Sequence, residues 1–205
     1  DRLETEYKNV DFDMIRHTRI EFFAVPMTCA TIGFMLQAAN DVEFETASSY
    51  KTFGVAAAVL FVLVGALRLA RLVKYPQKTV KEWHHPVTGN FFSAIPITIV
   101  IDGILLLPSS TDGAGIVIWI GAILQMLITL VRISDLIYDH ISEEMLNPSL
   151  MMAPVGNFIC AIGFAQFGVL YNGDNMDDNI NYLFLSRLWF GIAALFAVVL
   201  FVITF

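Results

Sequence analysis

Apolar and polar residues come in blocks along this chain and do not alternate. Six long runs are almost wholly apolar: 21–39, 53–72, 91–107, 114–133, 150–171 and 184–205. Charged residues sit mostly between them. A helix that crosses the hydrocarbon core of a bilayer needs roughly 20 predominantly apolar residues, and each run is about that long. The strands of a transmembrane barrel would read as segments of about ten residues with alternating faces. The pattern therefore predicts an all-α polytopic membrane protein with six transmembrane helices. Residues 1–20 form a polar N-terminal segment and residues 21–205 the transmembrane domain.

Within this pattern there is a repeat. The first run opens with FFAVPM, the third with FFSAIPI and the fifth with LMMAPV, so each odd helix carries a proline about one turn in: Pro26, Pro96 and Pro154. The even helices carry none. Proline inside a helix removes a hydrogen bond and kinks the chain. In lipid the freed carbonyl needs a partner from protein or water, so the odd helices are expected in an inner layer and the even ones outside. The inner candidates also hold most of the small, hydroxyl and amide groups, which either pack helices together or line a path.

Composition agrees with a membrane protein. The chain is 57% hydrophobic and 15% charged, with a mean hydropathy of +0.67, against about 45–50% and 25% in an ordinary soluble domain. The opening DRLETEYKNVDFDMIRHTRI has no apolar core of the signal-peptide kind. With no initial Met, and an end inside the apolar ALFAVVLFVITF, the chain reads as the front portion of a longer polypeptide. Cys29 and Cys160 fall inside apolar runs and read as small buried hydrophobes.

Lysine and arginine counts predict the orientation. The N-terminal segment and the 2–3 and 4–5 connections hold ten: Arg2, Lys8, Arg16, Arg19, Arg68, Arg71, Lys74, Lys78, Lys81 and Arg132. The other side holds two, Lys51 and Arg187, beside the acidic NDVEFE and NGDNMDDN. The N-terminus is expected in the cytoplasm or its equivalent, with the plasma membrane as the first expectation and an organelle membrane as the alternative.

Three elements carry a resemblance. The 2–3 connection reads LVKYPQKTVKEWHHPVTGNFFSAIPI, with Glu82, Trp83, His85, Pro86, Val87, Asn90, Phe91 and Phe92 at marked positions. The fourth run reads IWIGAILQMLITLVRISDL, with Trp119, Gly121, Gln125, Arg132 and Ser134. The fifth opens NPSLMMAPVGNFICA, with Asn147, Pro148, Val155, Gly156, Asn157 and Phe158. In this order the three resemble the family of slow-type anion channels, tellurite-resistance proteins and dicarboxylate or sulfite transporters. The resemblance implies five helical hairpins around a central pore, of which this chain would supply the first three. It also implies a homotrimer, with membrane lipid and small anions as partners and neither cofactor nor nucleic acid. The family's gating phenylalanine belongs to a ninth helix, beyond the six seen here. One departure stands out: family members are glycine-rich just after the first proline, where this chain has Met27-Thr28-Cys29-Ala30-Thr31 and its first glycine at Gly33. Larger side chains there would narrow or reshape a pore.

The candidate chemistry is sparse. No span has Lys or Arg near its centre, so an anion path is expected to use hydroxyl and amide donors: Thr28, Thr31, Ser93, Thr98 and Asn157. Lacking fixed charge, such a path would bind weakly and release quickly, as conduction requires. Asp102, the one acid well inside a span, is expected to cap the interface or to pair with Arg187. Arg132 and Asp135 are spaced for an intrahelical ion pair. His17, His84, His85 and His140 all fall in connections, and a His84/His85/His140 metal site is the less favoured reading beside an interfacial cap. Without a nucleophile elbow, phosphate loop or CxxC, an enzyme is not expected. The expected function is passive transport of chloride, nitrate, sulfite or a dicarboxylate. The alternative is a non-conducting subunit that keeps the scaffold inside a larger membrane assembly.

Overall fold

The computed structural model describes residues 14–40, 49–138, 148–170 and 176–204. Among them are six helices long and apolar enough to cross a membrane: Ile20–Asn40, Ser49–Lys74, Thr88–Leu106, Thr111–Asp135, Ser149–Val169 and Asn181–Val202, here called spans 1 to 6. The described residues are helical and turn structure, with no strand. The fold is all-α and polytopic.

The odd spans share a local construction. Span 1 begins as the 3-10 turn Ile20–Phe23 and continues as the α-helix Ala24–Asn40. Span 3 begins as Thr88–Ser93 and continues as Ala94–Leu106. Span 5 begins as Pro148–Met151 and continues as Met152–Leu170. In each, the matched proline of the internal repeat (Pro26, Pro96 or Pro154) is the third residue of the α-helical part. The first N–H groups of an α-helix have no intrahelical acceptor, so a proline there gives up little. Its ring is accommodated by the tighter turn that precedes it. The kink expected within each odd helix is therefore a change of helix type at its start. All three proline side chains are fully buried.

The even spans lie in single long α-helices: Ser49–Lys74, Thr111–Tyr138 and Met176–Thr204. Span 2 is followed by a nine-residue helix, Pro76–His84, with proline at its N-terminus, an element the block pattern did not suggest.

Two layers result. Span 3 packs between spans 1 and 5, and each even span packs against the odd span before it. Spans 2 and 4 also lean on the next odd span. The odd spans form the inner arc and the even spans cover it. Small residues let the layers approach: a Cβ on Gly121 of span 4 would run into Val100 and the Pro96 carbonyl of span 3, the kind of close helix contact that stabilises membrane bundles. The main core joins Val100 and Ile104 of span 3, Ile118 and Ala122 of span 4, Cys160 and Phe164 of span 5, and Trp189 of span 6. Phe164 meets Trp119 edge to face at 4.8 Å and lies 6.0 Å from the Trp189 ring.

Candidate functional site

Two regions of the bundle could carry function. They are an apolar cleft between the odd spans and a polar clasp at one end.

The cleft follows from the repeat. Counted from each proline, the next residue is Met27, Ile97 or Val155, and the fifth is Thr31, Ile101 or Ile159. Positions four apart share a helix face. All six of these residues line one cavity of about 310 Å³, with Met151 and Met152 beside them. Equivalent positions of three repeats thus face a single space on the inner side of the arc. Seven of its eight lining side chains are apolar, and the eighth, Thr31, donates its hydroxyl proton to the Met27 carbonyl at 2.8 Å.

The expected path-lining residues are distributed differently. Thr31 alone among the five lines the cleft. Thr28 and Thr98, both two residues after a proline, donate to the carbonyl two residues before it, Ala24 and Ala94, at 2.7 Å each. Ser/Thr hydroxyls commonly bond back to the helix four residues earlier, and such a hydroxyl has no proton left for an anion. Thr98 and Ser93 are buried, and Thr28 lies on an exposed face of span 1. Asn157 turns toward span 4: its amide donates to Thr129 Oγ1 at 2.9 Å and to the Ala153 carbonyl at 3.0 Å. Gln125 donates to the same carbonyl at 3.0 Å and to Thr129 at 3.3 Å. This knot is wholly buried. Gly156 makes room for it, since a Cβ there would collide with the Gln125 amide.

The clasp accounts for the motif around residue 82. Glu82 receives Arg68 at 2.8 Å and Arg71 at 2.6 Å, both from the end of span 2. The two guanidiniums also donate to the Thr18 carbonyl, just before span 1. Arg132 of span 4 donates to the Trp83 carbonyl at 2.5 Å and lies 4.3 Å over the Trp83 ring. Its pair with Asp135, at 3.5 Å, is present as expected. Gly89 passes beneath that guanidinium, where no side chain would fit. Asn90 bridges the Pro86 carbonyl at 2.9 Å and Ser149 of span 5 at 3.0 Å. His85 Nδ1 accepts the backbone N–H groups of Val87 and Thr88, which fixes the turn after Pro86. One short segment thereby ties together the ends of the first five spans. Pro148 opens the 3-10 turn of span 5; Asn147 lies outside the described residues. Sequence reasoning missed Arg68 and Arg71 as parts of this clasp, although both were visible as cations within the last five residues of the apolar run 53–72.

At the other end, Asp102 lines a cavity of about 360 Å³ together with Lys51 and Tyr50, not Arg187. For metals, no group of three His, Cys, Asp or Glu side chains converges among the described residues. His140 lies outside them. His84 Nδ1 donates to the Val80 carbonyl at 2.9 Å.

Comparison with known proteins gives two findings. The voltage-dependent anion channel family matches residues 17–205, which include all six spans. The tellurite resistance protein TehA homolog of Haemophilus influenzae is 26% identical over 162 residues, which is 76% of this chain and 49% of that protein. The chain thus spans about half the length of this curated relative.

Proposed function

Because the chain belongs to the voltage-dependent anion channel family and is an integral membrane protein, we propose that it provides one side of a passive path for small anions such as chloride, nitrate, sulfite or a dicarboxylate. The path runs along the cleft between spans 1, 3 and 5. The observation that carries this reading is the register of the repeat: the first and fifth positions after all three prolines face one cavity. A scaffold without a path has no need to present equivalent faces of three inner helices to a common space.

The apolar lining shapes the mechanism. An anion meets methionine, isoleucine and valine side chains here, with the Thr31 hydroxyl already bonded to backbone. A hydrophobic constriction conducts when wetted and closes by dewetting, so passage is set by width and not by fixed charge. The basic clasp end concentrates anions at its mouth. With that end in the cytoplasm, as the lysine and arginine distribution supports, the favoured direction is efflux.

The test is anion flux in liposomes containing the full-length protein. Met27→Ala with Val155→Ala widens the cleft and is expected to raise chloride or nitrate flux, while Leu60→Ala in span 2 leaves it unchanged. Flux at the empty-liposome level for wild type and the widened form alike would leave only the non-conducting scaffold.

A further inference from the structure

Beside the clasp, on the side of the short helix Pro76–His84, lies a second polar cavity of about 460 Å³. Its walls come from three separate pieces of chain: His17 and Arg19 before span 1, Arg71 at the end of span 2, and Lys78, Lys81 and His85 on and after the short helix. Glu82 and Thr88 complete the lining. Four fixed cations face one carboxylate, so the cavity carries a net charge of three positive units even with both imidazoles neutral.

The construction favours a ligand. Arg71 forms the floor; it is 5% exposed and is held in place by Glu82 and the Thr18 carbonyl. Since Glu82 also holds Arg68, its charge is already balanced by span 2. Arg19, Lys81, His17 and His85 form the exposed rim. A buried guanidinium below and ammonium groups above suit a multiply charged tetrahedral anion: guanidinium offers paired donors in a plane, and lysine adds a mobile point charge. The level in the membrane is equally informative. The cavity sits where an apolar span ends in Arg71 and Lys74, with Tyr75 and Trp83 alongside. Aromatic and basic residues together mark the headgroup zone, where the phosphates of anionic lipids lie.

We propose that this cavity is a binding site for a phosphate group, presented either by an anionic lipid headgroup or by a soluble phosphate at the same face. It lies outside the cleft and does not depend on conduction. Occupancy would tie the short helix to the segment before span 1, bracing the clasp from the outside.

The experiment uses the full-length protein in an uncharged detergent, titrated separately with short-chain phosphatidic acid, short-chain phosphatidylcholine, inorganic pyrophosphate and succinate. Binding is followed by native mass spectrometry and calorimetry. The variant is Lys78→Gln/Lys81→Gln, which removes both lysines of the cavity lining. Lys78→Arg/Lys81→Arg serves as the charge-preserving form and Lys51→Gln as the control at the opposite end. Each cation near an anionic surface strengthens binding roughly fivefold, so the double glutamine form should weaken phosphatidic acid binding by about 25-fold. The arginine form and Lys51→Gln should bind as wild type does. Phosphatidic acid binding tightly while pyrophosphate does not assigns the site to lipid; comparable binding of both assigns it to soluble phosphate. The proposal is overturned if neither binds more tightly than phosphatidylcholine, if succinate binds as tightly as the better of the two phosphate ligands, or if the glutamine form, unfolding at the wild-type temperature, keeps wild-type affinity.

Discussion

The clasp at one end of the bundle and the cleft between its odd spans are opposites in chemistry. At the clasp, Glu82 holds Arg68 and Arg71, Arg132 holds the Trp83 carbonyl and Asn90 holds Ser149, so polar contacts reach across five spans. Along the cleft, Met27, Ile97, Ile101, Val155 and Ile159 offer no polar group. Marked residues such as Glu82, Asn90, Gln125 and Arg132 hold the helices in place, and Val155 is the one marked residue that lines the cleft. In this fold the clasp is written in polar side chains and the cleft in plain hydrocarbon.

That contrast can be broken most forcefully at Glu82. Removing it leaves Arg68 and Arg71, 8% and 6% exposed, without their carboxylate. Breaking one partner out of a buried ion pair costs about 3–5 kcal/mol. Glu82→Ala should sharply lower the thermal unfolding temperature and the yield of monodisperse protein, and Glu82→Gln should recover part of the loss. A wild-type unfolding temperature for Glu82→Ala would mean that the clasp does not hold the bundle together.

A smaller effect is expected at Gly156, where even one methyl group forces the Gln125 amide aside. Overpacking of this sort costs about 1–3 kcal/mol. Gly156→Ala should destabilise in a thermal melt, and Gly156→Ala combined with Gln125→Ala should be milder than the sum of the two. Strict additivity would show that the two residues do not meet.

Smaller again is the knot between spans 4 and 5. Side-chain hydrogen bonds between membrane helices contribute about 0.6 kcal/mol on average and up to about 1.7. Asn157→Ala should cost an amount in that range, read by reversible unfolding in detergent, with little change in flux because the side chain faces Thr129 and not the cleft. A large flux change with unaltered stability would return Asn157 to the path.

How much of this was legible beforehand follows the same division. The spans were plain because the cost of unbonded backbone in lipid forces long apolar helices. The inner layer was plain because Pro26, Pro96 and Pro154 repeat at matched positions. Glu82, His85, Gln125 and Gly156 were marked by resemblance, though their partners were not. The rotation of each helix was hidden. A soluble helix shows which way it faces by separating apolar from polar residues, but Ile97 and Thr98 belong to a span that is apolar on every side. The hydroxyls looked like path groups because anions need donors. For Thr28, Thr31 and Thr98 the carbonyl four residues earlier had the first claim on that proton.

If the side of the odd spans facing the cleft is the wet one, neighbouring residues at one depth report it most directly. In the full-length protein, with Cys29 and Cys160 replaced by alanine, single cysteines are placed at Met27 and Val155 on the cleft face, and at Thr98 and Asn157 on the packed faces. Intact membranes are then treated with a small charged thiol reagent. The account predicts that Met27→Cys and Val155→Cys are modified while Thr98→Cys and Asn157→Cys stay protected. Protection of all four, or modification of Asn157→Cys in preference to Val155→Cys, would contradict it.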